Sequence, residues 1–453
     1  MRVLLINDTG LQPHPGCQAV QAGLRRFLKA RGIALTGSLY TNELKKIRRR
    51  PREAAIEFLG KSIQGEMIRA SDAIVINGEG TFHHGRCDEY LALVAFAKAA
   101  GKAVYFVNAL VEDYPAALDM LRSCDGISVR DRTSAAYLAD NGIEAVLRPD
   151  AFVWAPFAAL DLPVVPFVET IVTDWHREVA DVSGVAIHGF LERHWGRTWF
   201  HAFDSARNGA AYPFLLAMMR TGGQLLTARY HGAVAAVMAG RPVALLPSNS
   251  HKMAAFAEEH VGLDALVGAD ERPERALARM AEREADFAAA GRKLRRLATR
   301  LDQHPLAGLL ARPSRPASAD AGLVLRRLQD TLKRGPEAAP ARVVEDALLH
   351  GRLSKDDRAA VLKAAAKAKL LTGGLIEAIG VAADAGDGDA VAVLAQIQAD
   401  HGLETYPATA TAAAVSPPEA GANRAPKPTF PQALTQAPKP APGRRRLPRP
   451  RLP

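Results

Sequence analysis

Arg229, His231 and Lys252 fall within one stretch, TGGQLLTARYHGAVAAVMAGRPVALLPSNSHK over 221–252, and all three can hold an anion or give it a proton. Arginine offers a planar fork of donors to phosphate or carboxylate. Histidine titrates near neutral pH and suits general acid–base work. Lysine adds a compact point charge, and Asn249 adds an amide in the same polar turn. The surrounding pattern says how they are held. An apolar run over 224–227 reads as a strand that ends just before Arg229, and a small-residue helix follows over 233–239. A second strand over 243–246 ends in the turn that carries Asn249 and Lys252. Ligands of open parallel sheets sit beyond the carboxyl ends of the strands, beside helix amino ends. The three residues therefore converge on one sheet edge, with Tyr230 expected to point the other way.

Three upstream loops have the same placement. Asn7-Asp8-Thr9-Gly10 follows the first strand, and Gly16-Cys17 opens the next helix, where backbone N–H groups can approach a phosphate. Gly78-Glu79-Gly80 follows a buried strand over 72–77; the glycines permit close approach, and Glu79 can act in acid–base work or bind sugar hydroxyls. His83 is a candidate substrate contact. His83, His84 and Cys87 have no partner pair at metal-ligand spacing elsewhere, so no metal is expected. Arg130 suits an anion contact, although a structural pair with Asp131 and a helix cap near Asp131 is the reading the local pattern favours. Asp150 ends the last strand of the first domain, and both roles remain open for it.

Around these loops, strands alternate with helices: strands over 3–6, 34–39, 72–77, 104–108, 126–129 and 145–148, with helices over 16–31, 45–70, 89–100, 116–122 and 133–141. That alternation indicates βαβ units and a parallel sheet. The fold class read from it is α/β, with two Rossmann-like domains. Residues 1–154 form the first, 155–168 a proline-marked connection, and 169–302 a second, smaller α/β domain ending in a charged helix over 271–302. Residues 174–210 give no clear elements. An Ala-rich helical module is expected over 303–404, and a disordered Pro-rich basic tail over 405–453.

Charge location excludes one function class. The 453-residue chain carries a net +10, but residues 407–453 hold eight basic side chains against one glutamate, which is +7 of that total. The folded part is close to neutral, so the basic balance gives no reason to expect nucleic acid. The cysteines at 17, 87 and 124 form no C-x-x-C pair, which fits a reducing compartment. No apolar run reaches the roughly 18 residues of a membrane span. A cytoplasmic protein is expected, with the tail able to meet an anionic membrane at its inner face.

NDTG…GC, DAIVINGEGTFH, ISVRDRTSAAYLADNG with RPDA, and TARYHGAVAAVMAGRP with SNSHK occur in that order over about residues 1–262. Together they resemble the polysaccharide pyruvyl transferase family. The resemblance implies a glycosyltransferase B-like pair of domains facing a cleft. It implies phosphoenolpyruvate as donor, no separate cofactor, and an acceptor glycan or lipid-linked oligosaccharide that receives a ketal as phosphate is released. His231 would then protonate the methylene carbon, Glu79 or a neighbouring histidine would take hydroxyl protons, and Arg229 and Lys252 would hold the anion. Two rivals remain. One is a nucleotide-sugar glycosyltransferase of similar fold, whose diphosphate the same edge could serve; the other is an inactive scaffold that keeps the fold.

Overall fold

A computed structural model describes residues 1–79, 82–83, 88–158, 167–203, 212–310, 317–335 and 338–370. It opens with strand β1 (Arg2–Asp8), helix α1 (Pro15–Ala30) and β2 (Ala34–Tyr40), then α2 (Thr41–Arg48), α3 (Arg52–Lys61), α4 (Ile63–Ala70) and β3 (Ala73–Asn77). The long helical stretch expected over 45–70 is thus three helices. Pro51, which lacks the N–H a helix interior needs, separates the first two, and Ser62 caps the third by accepting from the Gly65 N–H at 3.3 Å. Next come β4 (Phe82–His83), α5 (Asp88–Ala99), β5 (Ala103–Ala109), β6 (Val111–Glu112), α6 (Leu118–Arg122), β7 (Gly126–Val129), α7 (Arg132–Asp140) and β8 (Val146–Leu147).

Six of these strands form a parallel sheet in the order β2-β1-β3-β5-β7-β8. All five residues of β3 and six of the seven in β1 are buried, as befits parallel strands covered on both faces. The strand order reverses between β1 and β3, so the crevice beyond their carboxyl ends is the natural ligand position.

The second unit holds β9 (Val168–Thr173), α8 (Val185–His194), β10 (Thr198–His201), α9 (Leu215–Arg220), β11 (Gly222–Thr227), α10 (Tyr230–Met238), β12 (Val243–Leu245), α11 (Lys252–Phe256), α12 (Pro273–Ala281) and α13 (Glu284–Leu297). Its parallel sheet runs β10-β9-β11-β12 and reverses between β9 and β11. The stretch without clear periodicity contains a turn of π-helix at Ala180–Gly184, α8 and the four-residue edge strand β10. These elements are too short and too exposed to imprint a pattern on the sequence. The charged helix expected over 271–302 is two helices. Arg283 leaves helical geometry (φ −105°, ψ 21°) and binds Asp264 and Asp286. α12 packs on β11 and β12, whereas α13 packs on α10 and the Ala151–Trp154 turn.

One apolar core joins both units: Leu24, Phe27, Phe152 and Trp154 from the first, Tyr230, Val234 and Val237 from the second. It fixes the amino end of α10 against that of α1. After α13 the chain returns to the first unit. His304 stacks on Phe27 at 4.4 Å, and burial pulls its pKa down to about 3.

Helices α14 (Ala321–Arg334), α15 (Pro340–His350) and α16 (Lys355–Lys367) share a small core of their own. They do not stand apart as a free module. α15 covers edge strand β2, Arg25 binds both Asp8 (2.6 Å) and Asp346 (2.8 Å), and Arg327 binds Glu43 at 2.8 Å. Covering an edge removes a row of unpaired backbone groups from solvent. The remainder of the expected module and the basic tail, residues 371–453, lie outside the described residues, as does most of the 155–168 connection. Among the described residues no helix is long and apolar enough to cross a membrane.

Candidate active site

A cavity of about 280 Å³ opens where the carboxyl ends of the two sheets meet. From the first sheet, Asn7 takes a left-handed conformation (φ +60°) near the end of β1, a strain typical of functional sites. Its Nδ2 donates to the Asn77 carbonyl at 2.7 Å. Asn77 Nδ2 (3.2 Å) and Thr9 Oγ1 (3.1 Å) then both donate to Glu79 Oε2. The buried Glu79 carboxylate is held by that one oxygen. Its other oxygen, Oε1, stands 3.5 Å from His231 Nδ1.

His231 is the second residue of α10, and its Nε2 lies 3.6 Å from Asp150 Oδ2. A carboxylate therefore stands beyond each ring nitrogen, and Phe152 stacks on the ring face at 5.4 Å. Gly16 makes room for this ring, since a Cβ there would come within 2.4 Å of the His231 Cβ. The sequence expectation was different, with Gly16 admitting a phosphate to the backbone. Gly78 likewise serves packing: its Cβ would meet the Ala109 Cβ at 2.6 Å.

Asp150 also accepts from Arg130 Nη1 at 2.7 Å and from the Phe152 N–H at 2.9 Å. Burial alone would raise its pKa, but His231, Arg130 and the Phe152 N–H outweigh burial and hold it well below the usual carboxylate range. Arg130 lies over the Tyr230 ring at 4.3 Å, and Tyr230 lines the cavity rather than turning from it. The cap near Asp131 is present, through the Ser134 N–H at 2.7 Å. The Arg130–Asp131 pair is not: Asp131 reaches His251 Nε2 at 2.8 Å across the two units, and Arg130 takes Asp150.

Across the cavity, Asp174 follows β9 and Arg229 follows β11, at the reversal of the second sheet. The Arg229 fork is engaged by Asp174, Nη2 to Oδ2 at 2.6 Å and Nε to Oδ1 at 3.1 Å, while Nη1 faces the His176 ring at 3.1 Å. Lys252 Nζ donates to Asn249 Oδ1 at 2.6 Å and lies 3.1 Å from His176 Nε2. Burial, reinforced by Arg130 and Arg229, brings its pKa down to about 7. His14 caps α1 by accepting from the Cys17 N–H at 3.2 Å. Burial first, then His231, drive its pKa well below the ordinary value.

The structure thus gathers Glu79, Arg130, Arg229, His231, Asn249 and Lys252 around one cavity, with Asn7 and Gly16 supporting them from behind. Gly80 lies outside the described residues, as do His84 and Cys87, and His83 is described only as part of β4. His14, Cys17 and His231 each place a ligand atom within 4.8 Å of the others, but they stand at a helix amino end among Arg229 and Lys252, which disfavours a cation. Sequence reasoning missed His14, His176 and Asp174, and gave Asp150 no definite role. His176 and Asp174 sit in the segment with no periodicity, while Asp150 follows Pro149 at a strand end and was available as a signal.

The family model for polysaccharide pyruvyl transferase matches residues 16–168. No curated protein matches the chain. Among solved structures, the chain is similar to the UDP-GlcNAc 2-epimerase of Methanocaldococcus jannaschii, at 13% identity and TM-score 0.42, over 66% of this chain and 99% of that one. It is also similar to Phytolacca americana UGT2, at 11% identity and TM-score 0.37, over 67% and 94%.

Proposed function

Taking that family match as premise, we propose that the cavity binds phosphoenolpyruvate and transfers its enolpyruvyl unit to two hydroxyls of a sugar as a cyclic ketal. The observation that carries this reading is the placement of His231 between Glu79 and Asp150, on the wall of a cavity that also presents Arg130, Arg229 and Lys252. Protonated His231 gives its proton to the methylene carbon, and positive charge develops at the adjacent carbon. A sugar hydroxyl adds there, phosphate departs, and the second hydroxyl closes the ketal. Of the two hydroxyl protons, one returns to His231 through Glu79 and the other leaves on the phosphate. Asp150 stabilises the imidazolium, and Lys252 with the arginines offsets the donor's phosphate and carboxylate charges. A positioned acid of this kind contributes about 10²–10⁴ in rate.

The donor supplies the transferred group, so the proposed reaction uses no separate cofactor. The acceptor in this reading is a sugar of a surface glycan or its lipid-linked precursor, with the basic tail meeting an anionic membrane at its inner face. The test is phosphate release from phosphoenolpyruvate by the full chain across a panel of glycan acceptors. Acceptor-dependent release supports the proposal. Nucleotide release from a UDP-sugar without it moves the assignment to a glycosyltransferase, and neither activity moves it to a scaffold.

A further inference from the structure

A second hollow, of about 340 Å³, lies where the chain crosses from the first unit to the second at Val153–Ala158. Phe157, Leu216 and Met238 give it an apolar floor, and Arg26, Arg220 and Arg295 ring it. Among the described residues none of these three arginines has a carboxylate partner. Arg26 donates to the Trp154 carbonyl at 3.2 Å and Arg295 to the Met238 carbonyl. Arg220 contributes only its backbone carbonyl, which accepts from Arg241 at 2.9 Å. Elsewhere the chain pairs such groups: Arg193, Arg279 and Arg283 each bind a carboxylate. Burial, then Arg220 and Arg292, lower the pKa of Arg295, the mark of cations gathered without a counter-charge.

We propose that this hollow binds an amphiphilic anion, with a phosphate or carboxylate headgroup on Arg26, Arg220 and Arg295 and an apolar chain over Phe157, Leu216 and Met238. The volume suits a headgroup and a short length of chain, and a planar guanidinium is the donor that matches such a headgroup best. The position gives binding a route to the catalytic cavity. α1 and α10 both begin at that cavity, with Gly16 and His231; α10 ends here at Met238, and α1 reaches here with Arg26, one turn before its own end. Ten residues of α1 span roughly 15 Å. An occupant lying between Arg26 of α1 and Met238 of α10 touches both units at their crossing.

The experiment is calorimetric titration of the full chain with dodecyl phosphate below its micelle concentration, with dodecyl maltoside and inorganic phosphate as controls. The proposal expects dodecyl phosphate to bind and the uncharged maltoside not to. The double variant Arg26→Gln with Arg220→Gln should weaken binding at least about tenfold while the melting temperature holds. Ala217→Trp, which fills the hollow and keeps the arginines, should weaken it as much. Lys252→Met, in the catalytic cavity, should leave it within about twofold, so the result stands apart from the proposed enzymatic function. Equal binding of the maltoside overturns the proposal, as does inorganic phosphate displacing the ligand at equal concentration. Unchanged binding in both hollow variants, or a loss in Lys252→Met matching theirs, overturns it too.

Discussion

Where the first sheet reverses strand order, between β1 and β3, the cavity meets a hydroxyl and one carboxylate, Thr9 and Glu79, with the amides of Asn7 and Asn77 behind them. Where the second reverses, between β9 and β11, it meets an arginine already paired with its aspartate, and a histidine two residues further on. The first edge is a rigid acceptor built from neutral groups around a single charge. The second is cationic, and burial, reinforced by Arg130 and Arg229, lowers the pKa of its lysine, Lys252. His231 belongs to both edges. It is carried by the second unit, yet the carboxylates beyond its nitrogens come from the first.

The largest expected effect tests that dual membership. His231→Ala should cut turnover by about 10²–10⁴ and leave donor affinity within about threefold, read by steady-state kinetics beside calorimetry. If affinity falls as far as turnover, the histidine belongs to the anion-binding edge alone. Next is Asp150→Asn, which leaves the Arg130 guanidinium, 3% exposed, without its counter-charge. Loss of one partner of a buried pair costs about 3–5 kcal/mol, measurable by chemical denaturation, whereas a change below about 1 kcal/mol would contradict the buried pairing. Lys252→Met sharpens the cationic side. The wild type should bind phosphoenolpyruvate more weakly as pH rises through about 7, because Lys252 loses its charge there, and the variant should lack that dependence. Folding has the matching sign. The unfolded chain keeps this proton to a higher pH than the folded one, so stability rises with pH above about 7 through this group. The variant should lose that slope.

The smallest effect concerns the His251 bridge to Asp131 and Glu112. Burial opposes its charge, but the two carboxylates win and raise its pKa. The stability it adds is therefore complete below the ordinary histidine value and fades as pH rises through the folded-state value. His251→Ala should cost about 1 kcal/mol at pH 5.5 and less at pH 8; an equal cost at both would contradict the charged bridge.

The strands of both sheets, the edge strand β10 apart, were legible because apolar runs bounded by polar turns survive any tertiary detail. The Arg229–His231–Lys252 edge was legible for a similar reason, since its residues lie within one local stretch. What the sequence hid was pairing at long range. The partner of Arg229 is Asp174, in a segment without periodicity, and the partner of Arg130 is Asp150 rather than adjacent Asp131. Tyr230 was misplaced because α10 begins at Tyr230, not at Ala233. Neighbours on a helix lie about 100° apart, so Tyr230 and His231 can border one cavity, unlike neighbours on a strand. Gly16 misled because an absent Cβ reads the same whether it admits a ligand or a histidine ring.

If His231 protonates the methylene carbon of phosphoenolpyruvate, a solvent isotope ends up in the product. In D₂O with a glycan acceptor, wild type should release phosphate and form a ketal whose methyl group carries one deuterium, and His231→Ala should form it about 10²–10⁴ times more slowly. A ketal formed by His231→Ala at the wild-type rate, or no deuterium in the methyl group, would contradict it.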